Sequence, residues 1–262
     1  MTTVRIAGVD IDTTAPHPAR VYDCLLGGKD HYPVDQRVAA SLPEAGAQGA
    51  RENREFMRRA VRWLAGQGVD QFLDVGTGIP TEPNLHQVVQ SVNPAAHVVY
   101  ADNDPIVLAH AEALLVSSPE GATHYLQADV REPATILRES RELLDFTRPV
   151  ALSLIALLHF LPDDVKPHDI VRTLTGALPS GSYLVLSHAA SDIYPDKAAE
   201  VREGYARGGI QLAFRDRAEV ARFHEGLEPV APGLVETTSW YRDTARPEPG
   251  LGGIYAVVAR VP

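Results

Sequence analysis

FLDVGTGIPTEPN, residues 72–84, is a short apolar run that ends in a glycine-rich turn. An apolar run followed by such a turn and a helical segment is typical of the first unit of a nucleotide-binding α/β sheet. A dinucleotide fingerprint needs G-x-G-x-x-G, and here Gly76 and Gly78 are present while the third position is Thr81. Pro80 fits the first turn of the following helix, where its missing N–H is not needed. The stretch therefore predicts a strand, a tight turn and a helix without the usual dinucleotide fingerprint.

Strand-like and helix-like segments alternate on the C-terminal side of this turn. This alternation indicates βαβ units and a mostly parallel sheet. The last two strand-like segments have no helix between them, and strands joined by a loop are normally antiparallel. We therefore expect an α/β fold with a seven-stranded, mostly parallel sheet that ends in an antiparallel hairpin. The strand patterns lie at residues 71–76, 97–102, 123–129, 149–156, 182–188 and 252–261, with one more within 219–240, and the helix patterns at 84–92, 105–117, 133–144, 169–178 and 198–208.

The N-terminal quarter of the chain has a different pattern. Residues 1–17 are rich in Thr, Asp and Pro and predict a loose arm. Two helices are expected between residues 18 and 67, the first ending at a glycine pair and the second carrying an apolar face. We expect residues 1–67 to form the arm and a helical cap, and residues 68–262 to form the sheet domain, together as one structural unit. The apolar face consists of Phe56, Ala60, Trp63 and Leu64.

Composition narrows the classes of function. The chain has 262 residues and a formal net charge of −10, which disfavours a nucleic-acid partner because an acidic surface repels phosphates. Cys24 is the single cysteine, so neither an intramolecular disulfide nor a zinc cluster of thiolates is expected, and its apolar helix face points to a core residue. We find no signal-peptide pattern and no apolar run long enough to span a bilayer. We therefore expect a cytoplasmic protein without a metal or membrane partner.

Asp74 indicates which ligand the glycine turn could hold. It precedes Gly76 at the carboxyl end of the first sheet strand, where open α/β sheets bind their ligands. A carboxylate is a poor neighbour for a pyrophosphate but a good one for an ammonium or a sulfonium, and S-adenosylmethionine carries both. That ligand has no pyrophosphate, so a missing third glycine matters less. Gly76, Thr77 and Gly78 would then form the cofactor turn; the alternative is a tight strand–helix turn without a ligand.

Two further acidic residues end the next two strands. Asp102 lies in YADNDP, where Asp104 fits the N-cap of a helix that begins with proline, which leaves Asp102 free to accept ribose hydroxyls. Asn103 would lie near the adenine. Asp129, in LQADV, could accept from the exocyclic amine of adenine, with the backbone of Val130 beside the ring. Taken alone, each of these residues could be a solvated loop carboxylate. Three acidic residues at the ends of three successive strands, Asp74, Asp102 and Asp129, instead favour a shared binding site.

These motifs resemble those of a known family. DVGTG, YADNDP, LQAD and LSLIALLHFL are similar to motifs of class I S-adenosylmethionine-dependent methyltransferases over roughly residues 50–262. ARVYDCLLGGKDHYPVDQR, QFLDVGTGIPT and VVYADNDPIVLAHAEALL resemble more narrowly a bacterial group of S-adenosyl methyltransferases described as a domain of unknown function. The resemblance implies a Rossmann-like fold and S-adenosyl-L-methionine as cofactor, and it implies no particular substrate.

The fourth sheet strand should end near the transferred methyl group. Enzymes that methylate nucleobase amines commonly carry an Asn/Asp-Pro-Pro-aromatic turn there, whereas this chain continues with Ala156 and three further residues to His159. Ala156 is expected to line the cofactor site. His159 and His188 are candidate general bases because histidine titrates near neutral pH, although a packed histidine is the more ordinary role of each.

The N-terminal stretch YDCLLGGKDHYPVD could close the site. Tyr22 could stack on the cofactor or bond to it, and Lys29 could pair with its methionine carboxylate. Gly28 and its neighbour would allow a close backbone approach. His31 and Tyr32 could line an acceptor pocket. The alternative is a helix with its C-cap and a solvated lysine.

The sequence thus favours an S-adenosylmethionine-dependent methyltransferase that acts on a small-molecule acceptor, as a monomer or homodimer. A non-catalytic protein that binds S-adenosylmethionine or S-adenosylhomocysteine is one alternative. An NAD(P)-dependent oxidoreductase is another, and Asp74, the failed fingerprint and the terminal hairpin count against it.

Overall fold

The computed structural model describes residues 3–6, 9–107, 116–241 and 252–262. The strands are β1 (Thr3–Ile6), β2 (Val9–Asp12), β3 (Gln71–Val75), β4 (His97–Asp102), β5 (Ala122–Gln127), β6 (Ala151–Ile155), β7 (Tyr183–Ala189), β8 (Glu228–Pro229), β9 (Val235–Glu236) and β10 (Ile254–Arg260). The helices are α1 (Pro18–Leu25), α2 (Pro33–Ala40), α3 (Glu44–Gly66), α4 (Leu85–Gln90), α5 (Pro133–Ser140), α6 (Pro167–Gly176), α7 (Pro195–Arg207) and α8 (Arg217–Ala221).

The main sheet has the order β5-β4-β3-β6-β7-β10-β8, and β9 also pairs with β10. The neighbours from β5 to β7 are parallel, and β10 runs antiparallel to β7, β8 and β9. The prediction of a mostly parallel sheet with an antiparallel C-terminal end is therefore confirmed. The described sheet has eight strands rather than seven, because two separate two-residue strands pair with β10 where one longer strand was expected.

Helices cover both faces of this sheet. Successive side chains of a strand point to opposite faces, so Phe72 packs in the cluster that includes α3 and α4. Leu73, the next residue, packs in the cluster that includes α5, α6 and α8. This double coverage explains why the inner parallel strands β3 and β6 are mostly apolar and buried. The carboxyl ends of β3, β4, β5 and β6 are left to meet at one edge, where the candidate site lies.

The helical cap is present, and α7 completes it. Helix α1 ends just before Gly27, whose φ of 80° is easy only for glycine, and α3 ends at Gly66, both as predicted. All four residues of the predicted apolar face of α3 are buried. Val21 of α1, Val38 of α2 and Tyr205 of α7 share one apolar cluster, so a helix from the second half of the chain belongs to the cap.

The N-terminal arm differs from the loose segment that we expected. Strands β1 and β2 form an antiparallel pair, with Thr3 opposite Asp12 and Ile6 opposite Val9. The alternating apolar residues of VRIAGVDI are a hairpin pattern that the Thr, Asp and Pro content of the arm concealed.

Two predicted helix positions need comment. The helix after the glycine turn begins at Leu85, so Pro80 lies in a loop and not in its first turn. Asn84 and Gln87 form a capping box, which is the start signal that the sequence interpretation missed. The helix expected at residues 105–117 does begin at Pro105, but residues 108–115 lie outside the described part.

Candidate functional site

A cavity of about 350 Å³ lies at the carboxyl ends of β3, β4, β5 and β6, and residues of α1 and α3 also line it. This volume lies within the usual range for small-molecule sites. Ten of the eleven residues predicted to bind the cofactor line it: Tyr22, Asp74, Gly76, Thr77, Gly78, Asp102, Asn103, Asp129, Val130 and Ala156.

The turn after β3 is held by backbone contacts that favour glycine. Gly76 and Gly78 have φ values of 76° and 68°, in the left-handed region. The amide of Gly76 donates to the carbonyl of Ala101 at 2.8 Å, which ties the turn to β4. A Cβ at Gly76 would lie 2.7 Å from Cδ1 of Leu157, so a larger residue would have to displace the side chain of Leu157. The two glycines therefore bring the backbone close to the cavity without blocking it.

Asp74 is a half-buried carboxyl group at the end of β3. Burial raises the pKa of Asp74 to about 6, and the nearby charge of Arg54 acts in the opposite direction. Among the described residues, Asp74 forms no ion pair within 4.0 Å. The cavity therefore contains a partly desolvated acid that a bound cation would stabilise in its charged form.

Asp102 joins the glycine turn to the end of β4. Its Oδ2 accepts from the amide of Gly78 at 2.9 Å, and its Oδ1 accepts from the amide of Asp104 at 2.9 Å. Burial raises the pKa of Asp102. Asp104 has the predicted capping geometry, since its Oδ1 accepts from the amide of Ile106 at 3.0 Å. Its Oδ2 lies 2.9 Å from Nδ1 of His17, which links this helix start to the residue before α1.

Asp129 lies at the far end of the cavity and already has partners. Nδ2 of Asn103 donates to its Oδ2 at 3.3 Å, and the amide of Arg131 donates to its Oδ1 at 2.9 Å. The guanidinium of Arg131 also pairs with this carboxylate, and these hydrogen bonds lower the pKa of Asp129. Val130 is buried beside it. An adenine amine would have to share the carboxylate with Arg131, so the adenine role of Asp129 stays a prediction.

A chain of hydrogen bonds links the cap to the end of β6. Nδ2 of Asn53 donates to the hydroxyl of Tyr22 at 3.0 Å, and that hydroxyl donates to the carbonyl of Ala50 at 3.0 Å. Oγ of Ser187 donates to Oδ1 of Asn53 at 2.5 Å and accepts from the amide of Ala156 at 3.0 Å. Ala156 has a φ of 53°, an unfavourable conformation for alanine that this network helps to hold.

Comparison with known proteins identifies the family. The sequence model of the S-adenosyl methyltransferase family matches residues 5–262. The chain belongs to this family. A DUF574 family protein from Streptomyces avermitilis is 45% identical, with a TM-score of 0.91 over 96% of this chain and 99% of that one. A protein from Thermobifida fusca that is proposed to be a methyltransferase is 38% identical, with a TM-score of 0.85 over 95% of this chain and 96% of that one.

A more distant structure shares the fold alone. Magnesium protoporphyrin IX methyltransferase from Synechocystis, with bound S-adenosylhomocysteine, is 13% identical and has a TM-score of 0.54 over 92% of this chain. No curated protein matches the chain. The Rossmann-like methyltransferase fold that the sequence motifs implied is thus confirmed, while the acceptor of the methyl group is not identified by any of these relatives.

Neither candidate histidine lines the large cavity of this family member. Both ring nitrogens of His188 already have partners, since Arg215 donates to Nε2 at 2.8 Å and Nδ1 lies 2.8 Å from the carbonyl of Ala189. Burial lowers the pKa of His188 well below its ordinary value. Burial also lowers the pKa of His159 to about 3, and this histidine lines a smaller cavity beside the large one. Because these pKa values are low, both rings are only weakly basic and are poor candidates for a general base.

Lys29 also differs from the expectation, since it is exposed and does not line the cavity. The close approach at Gly28 serves another purpose: a Cβ there would lie 1.9 Å from Oδ1 of Asp23. Asp23 is buried and lies 2.7 Å from Nδ1 of His31. Neither His31 nor Tyr32 lines the large cavity or the smaller one beside it. Both residues therefore belong to the packing of the segment between α1 and α2.

The sequence interpretation also missed residues that line the cavity. Arg54 on α3 donates from Nη2 to the carbonyl of Thr81 at 2.6 Å and is the cation whose charge acts on Asp74. It stands among four other arginines of the same helix, so no pattern singled it out. His17 and Asn53 line the cavity as well. Among the described residues, no His, Cys, Asp and Glu group could hold a metal ion, and no helix is long and apolar enough to cross a membrane.

Proposed function

We propose that this chain is an S-adenosylmethionine-dependent methyltransferase that acts on a small-molecule acceptor, and that the large cavity holds the cofactor. The observation that carries the proposal is Asp74: a carboxyl group with its pKa raised to about 6 in a cavity of about 350 Å³, without an ion-pair partner among the described residues. A positively charged ligand would satisfy this group, whereas a pyrophosphate would add like charge beside it.

The residues of the cavity fit the parts of S-adenosylmethionine. Asp74 lies at the end of β3 and would receive the ammonium, while the left-handed glycine turn lets the backbone approach the amino-acid part. Each carboxylate oxygen of Asp102 accepts one amide and keeps a further lone pair, so it can still accept a ribose hydroxyl. Asn103, Asp129 and Val130 lie beyond Asp102 and would surround the adenine. The bound cofactor supplies an electrophilic methyl group on its sulfonium.

The chain itself would contribute position and protection from water. The cap places Tyr22 over the same cavity, and the hydrogen bonds through Asn53 and Ser187 fix the strained Ala156 at the end of β6. Alignment of an acceptor with an already activated methyl group needs little further chemistry. A general base is needed only for an acceptor that must lose a proton. The net charge of −10 favours a small acceptor over a nucleic acid.

A turnover measurement tests the proposal. The protein is incubated with S-adenosylmethionine and pools of small phenols, amines and carboxylic acids, and formation of S-adenosylhomocysteine is followed. We expect product that depends on one pool and that falls sharply in Asp102→Ala. A protein that binds the cofactor but forms no product with any pool would favour the non-catalytic alternative. A protein that binds NAD and not S-adenosylmethionine would contradict the proposal.

A further inference from the structure

Arg54 is a cation that lines the large cavity from helix α3. Among the described residues, it forms no ion pair within 4.0 Å. Within the same part of the chain, its guanidinium makes one hydrogen bond, from Nη2 to the carbonyl of Thr81 at 2.6 Å. A guanidinium carries five N–H donors, so a single carbonyl leaves most of them unused.

The other two nitrogens of this guanidinium differ in their access to a ligand. Nε is shielded from solvent and has no hydrogen-bond partner among the described residues. Nη1 also has none in the described part of the chain, but it is not shielded in this way and stays accessible. Unpaired donors of a charged group that is partly withdrawn from water cost free energy. The guanidinium is therefore incompletely satisfied until an anion reaches it.

Asp74 offers the opposite charge at the same cavity. No ion pair within 4.0 Å joins it to Arg54, although both side chains are among the described ones. Burial raises the pKa of Asp74 to about 6, and the charge of Arg54 opposes this rise only in part. The cavity thus holds an anion and a cation that influence each other across a gap without direct contact.

Helix α3 approaches the cavity from the side away from Asp129. It packs against β6 and β7 on one side of β3, whereas Asp129 follows β5, two strands from β3 on the other side. The charge of Arg54 acts on Asp74, while Asp129 already pairs with Arg131. A ligand that spans the cavity with its adenine toward Asp129 would therefore turn its other end toward Arg54.

We propose that Arg54 binds the carboxylate of the amino-acid part of the cofactor, so that Arg54 and Asp74 together form a site for a zwitterion. The ammonium and the carboxylate of an α-amino acid are attached to one carbon atom, so they fit between two opposite charges that do not pair directly. Each of the four charges then has an opposite neighbour, and charge-assisted hydrogen bonds from a guanidinium to a carboxylate are strong. The inference rests on the proposed function, since it adds a binding residue to the same site. Arg54 takes the role that the sequence assigned to Lys29, which is exposed.

This pair of charges would select ligands by their amino-acid part. A ligand with the ammonium but without the carboxylate would satisfy Asp74 and would leave Arg54 unpaired. A site built to hydrogen-bond one polar group discriminates against an analogue that lacks the group, because the protein donors then stay unsatisfied. We therefore expect the free protein to distinguish two cofactor analogues that differ in the carboxylate alone.

The test compares S-adenosylmethionine with decarboxylated S-adenosylmethionine, which keeps the ammonium and the sulfonium. Calorimetry of the full chain at pH 7 should show at least tenfold tighter binding of S-adenosylmethionine. The readout for each variant is the ratio of the two affinities, because a change in the charge of Asp74 affects both ligands through the same ammonium. Arg54→Met should bring this ratio close to one. Arg54→Lys keeps the charge without the planar group and should retain an intermediate ratio.

Arg58→Met is the matched control. Arg58 lies one turn further along α3 and donates from Nη2 to the carbonyl of Glu82 at 3.1 Å, in the same loop as Thr81. It does not line the cavity, and it pairs with Glu55. Arg58→Met should therefore keep the ratio of the parent. Thermal unfolding of each variant shows that it is folded, and Arg54→Lys carries the test if Arg54→Met does not fold.

The outcomes separate the two claims. Equal affinities of the parent for the two ligands would overturn the role of Arg54 and leave the proposed function intact. An Arg54 variant that binds both ligands more weakly but keeps the ratio of the parent would overturn it too, because Arg54 would then only hold the loop at Thr81. Failure of the parent to bind S-adenosylmethionine would overturn both claims.

Discussion

The carboxyl group of Asp74 makes the strongest prediction, which concerns pH. With a pKa of about 6 in the free protein, Asp74 is roughly a tenth ionised at pH 5 and roughly nine tenths ionised at pH 7. The ammonium of S-adenosylmethionine should bind the ionised form. We therefore expect the affinity to rise about tenfold from pH 5 to pH 7, with proton release on binding at the lower pH. Asp74→Asn should bind more weakly at pH 7 and should lose most of this dependence.

The same shift predicts an opposite effect on folding. Burial raises the pKa of Asp74 in the folded state, so its favourable contribution to stability is present below about pH 4 and is lost as the pH rises through 6. A rise of about two units from 3.8 corresponds to at most about 3 kcal/mol at pH 7. Asp74→Asn should therefore make the free protein more stable at pH 7, while it binds the cofactor less well.

Calorimetry at pH 5, 6 and 7 and urea unfolding at pH 7 measure the two effects. Arg54 and Asp102 are the two charged groups that act on Asp74, and both remain in Asp74→Asn. A difference between the variant and the parent therefore reports on the carboxyl group of Asp74. The reasoning is refuted by an affinity that does not change between pH 5 and 7 in the parent. An Asn variant that binds as tightly as the parent at pH 7 would remove Asp74 from the site.

Four other outcomes follow from the structure and the sequence. Asp102→Asn should weaken cofactor binding roughly tenfold to a hundredfold. It should also lower the melting temperature, because the hydrogen bond from the backbone amide of Gly78 or of Asp104 is lost. Asp104→Ala should cost about 0.5–2 kcal/mol of stability in thermal unfolding and keep most of the affinity, since Asp104 caps a helix. Gly76→Ala should weaken cofactor binding in calorimetry and lower the stability in unfolding, because its Cβ would collide with Leu157. Gel shifts with transfer RNA at physiological salt should show no sub-micromolar binding, given the net charge of −10.

Much of the fold could be predicted because its signals are local. The strand that carries Phe72 and Leu73, the glycine at the end of α1 and the apolar face of α3 are each visible in a few consecutive residues. The hairpin β1–β2 and the split of the last edge strand into β8 and β9 were missed. The first was hidden by composition, and the second depends on which residues of a long loop pair with β10, which local sequence does not determine.

The candidate site was predictable where strand ends define it. Asp74, Asp102 and Asp129 follow three parallel strands, so their meeting at one edge follows from topology. Lys29 was placed wrongly because glycine residues before it suggested a cofactor contact, whereas Gly28 makes room for Asp23. Arg54 and Asn53 were missed because they reach the large cavity through tertiary packing of α3, and no spacing along the chain records that packing.

Titration calorimetry of the full chain with S-adenosylmethionine and, separately, with NAD at pH 7 tests the central claim most directly. We predict saturable binding of one S-adenosylmethionine per chain and no heat from NAD at the same concentrations. Asp102→Asn should weaken the first and leave the second unchanged. Micromolar binding of NAD together with no response to S-adenosylmethionine would contradict the account.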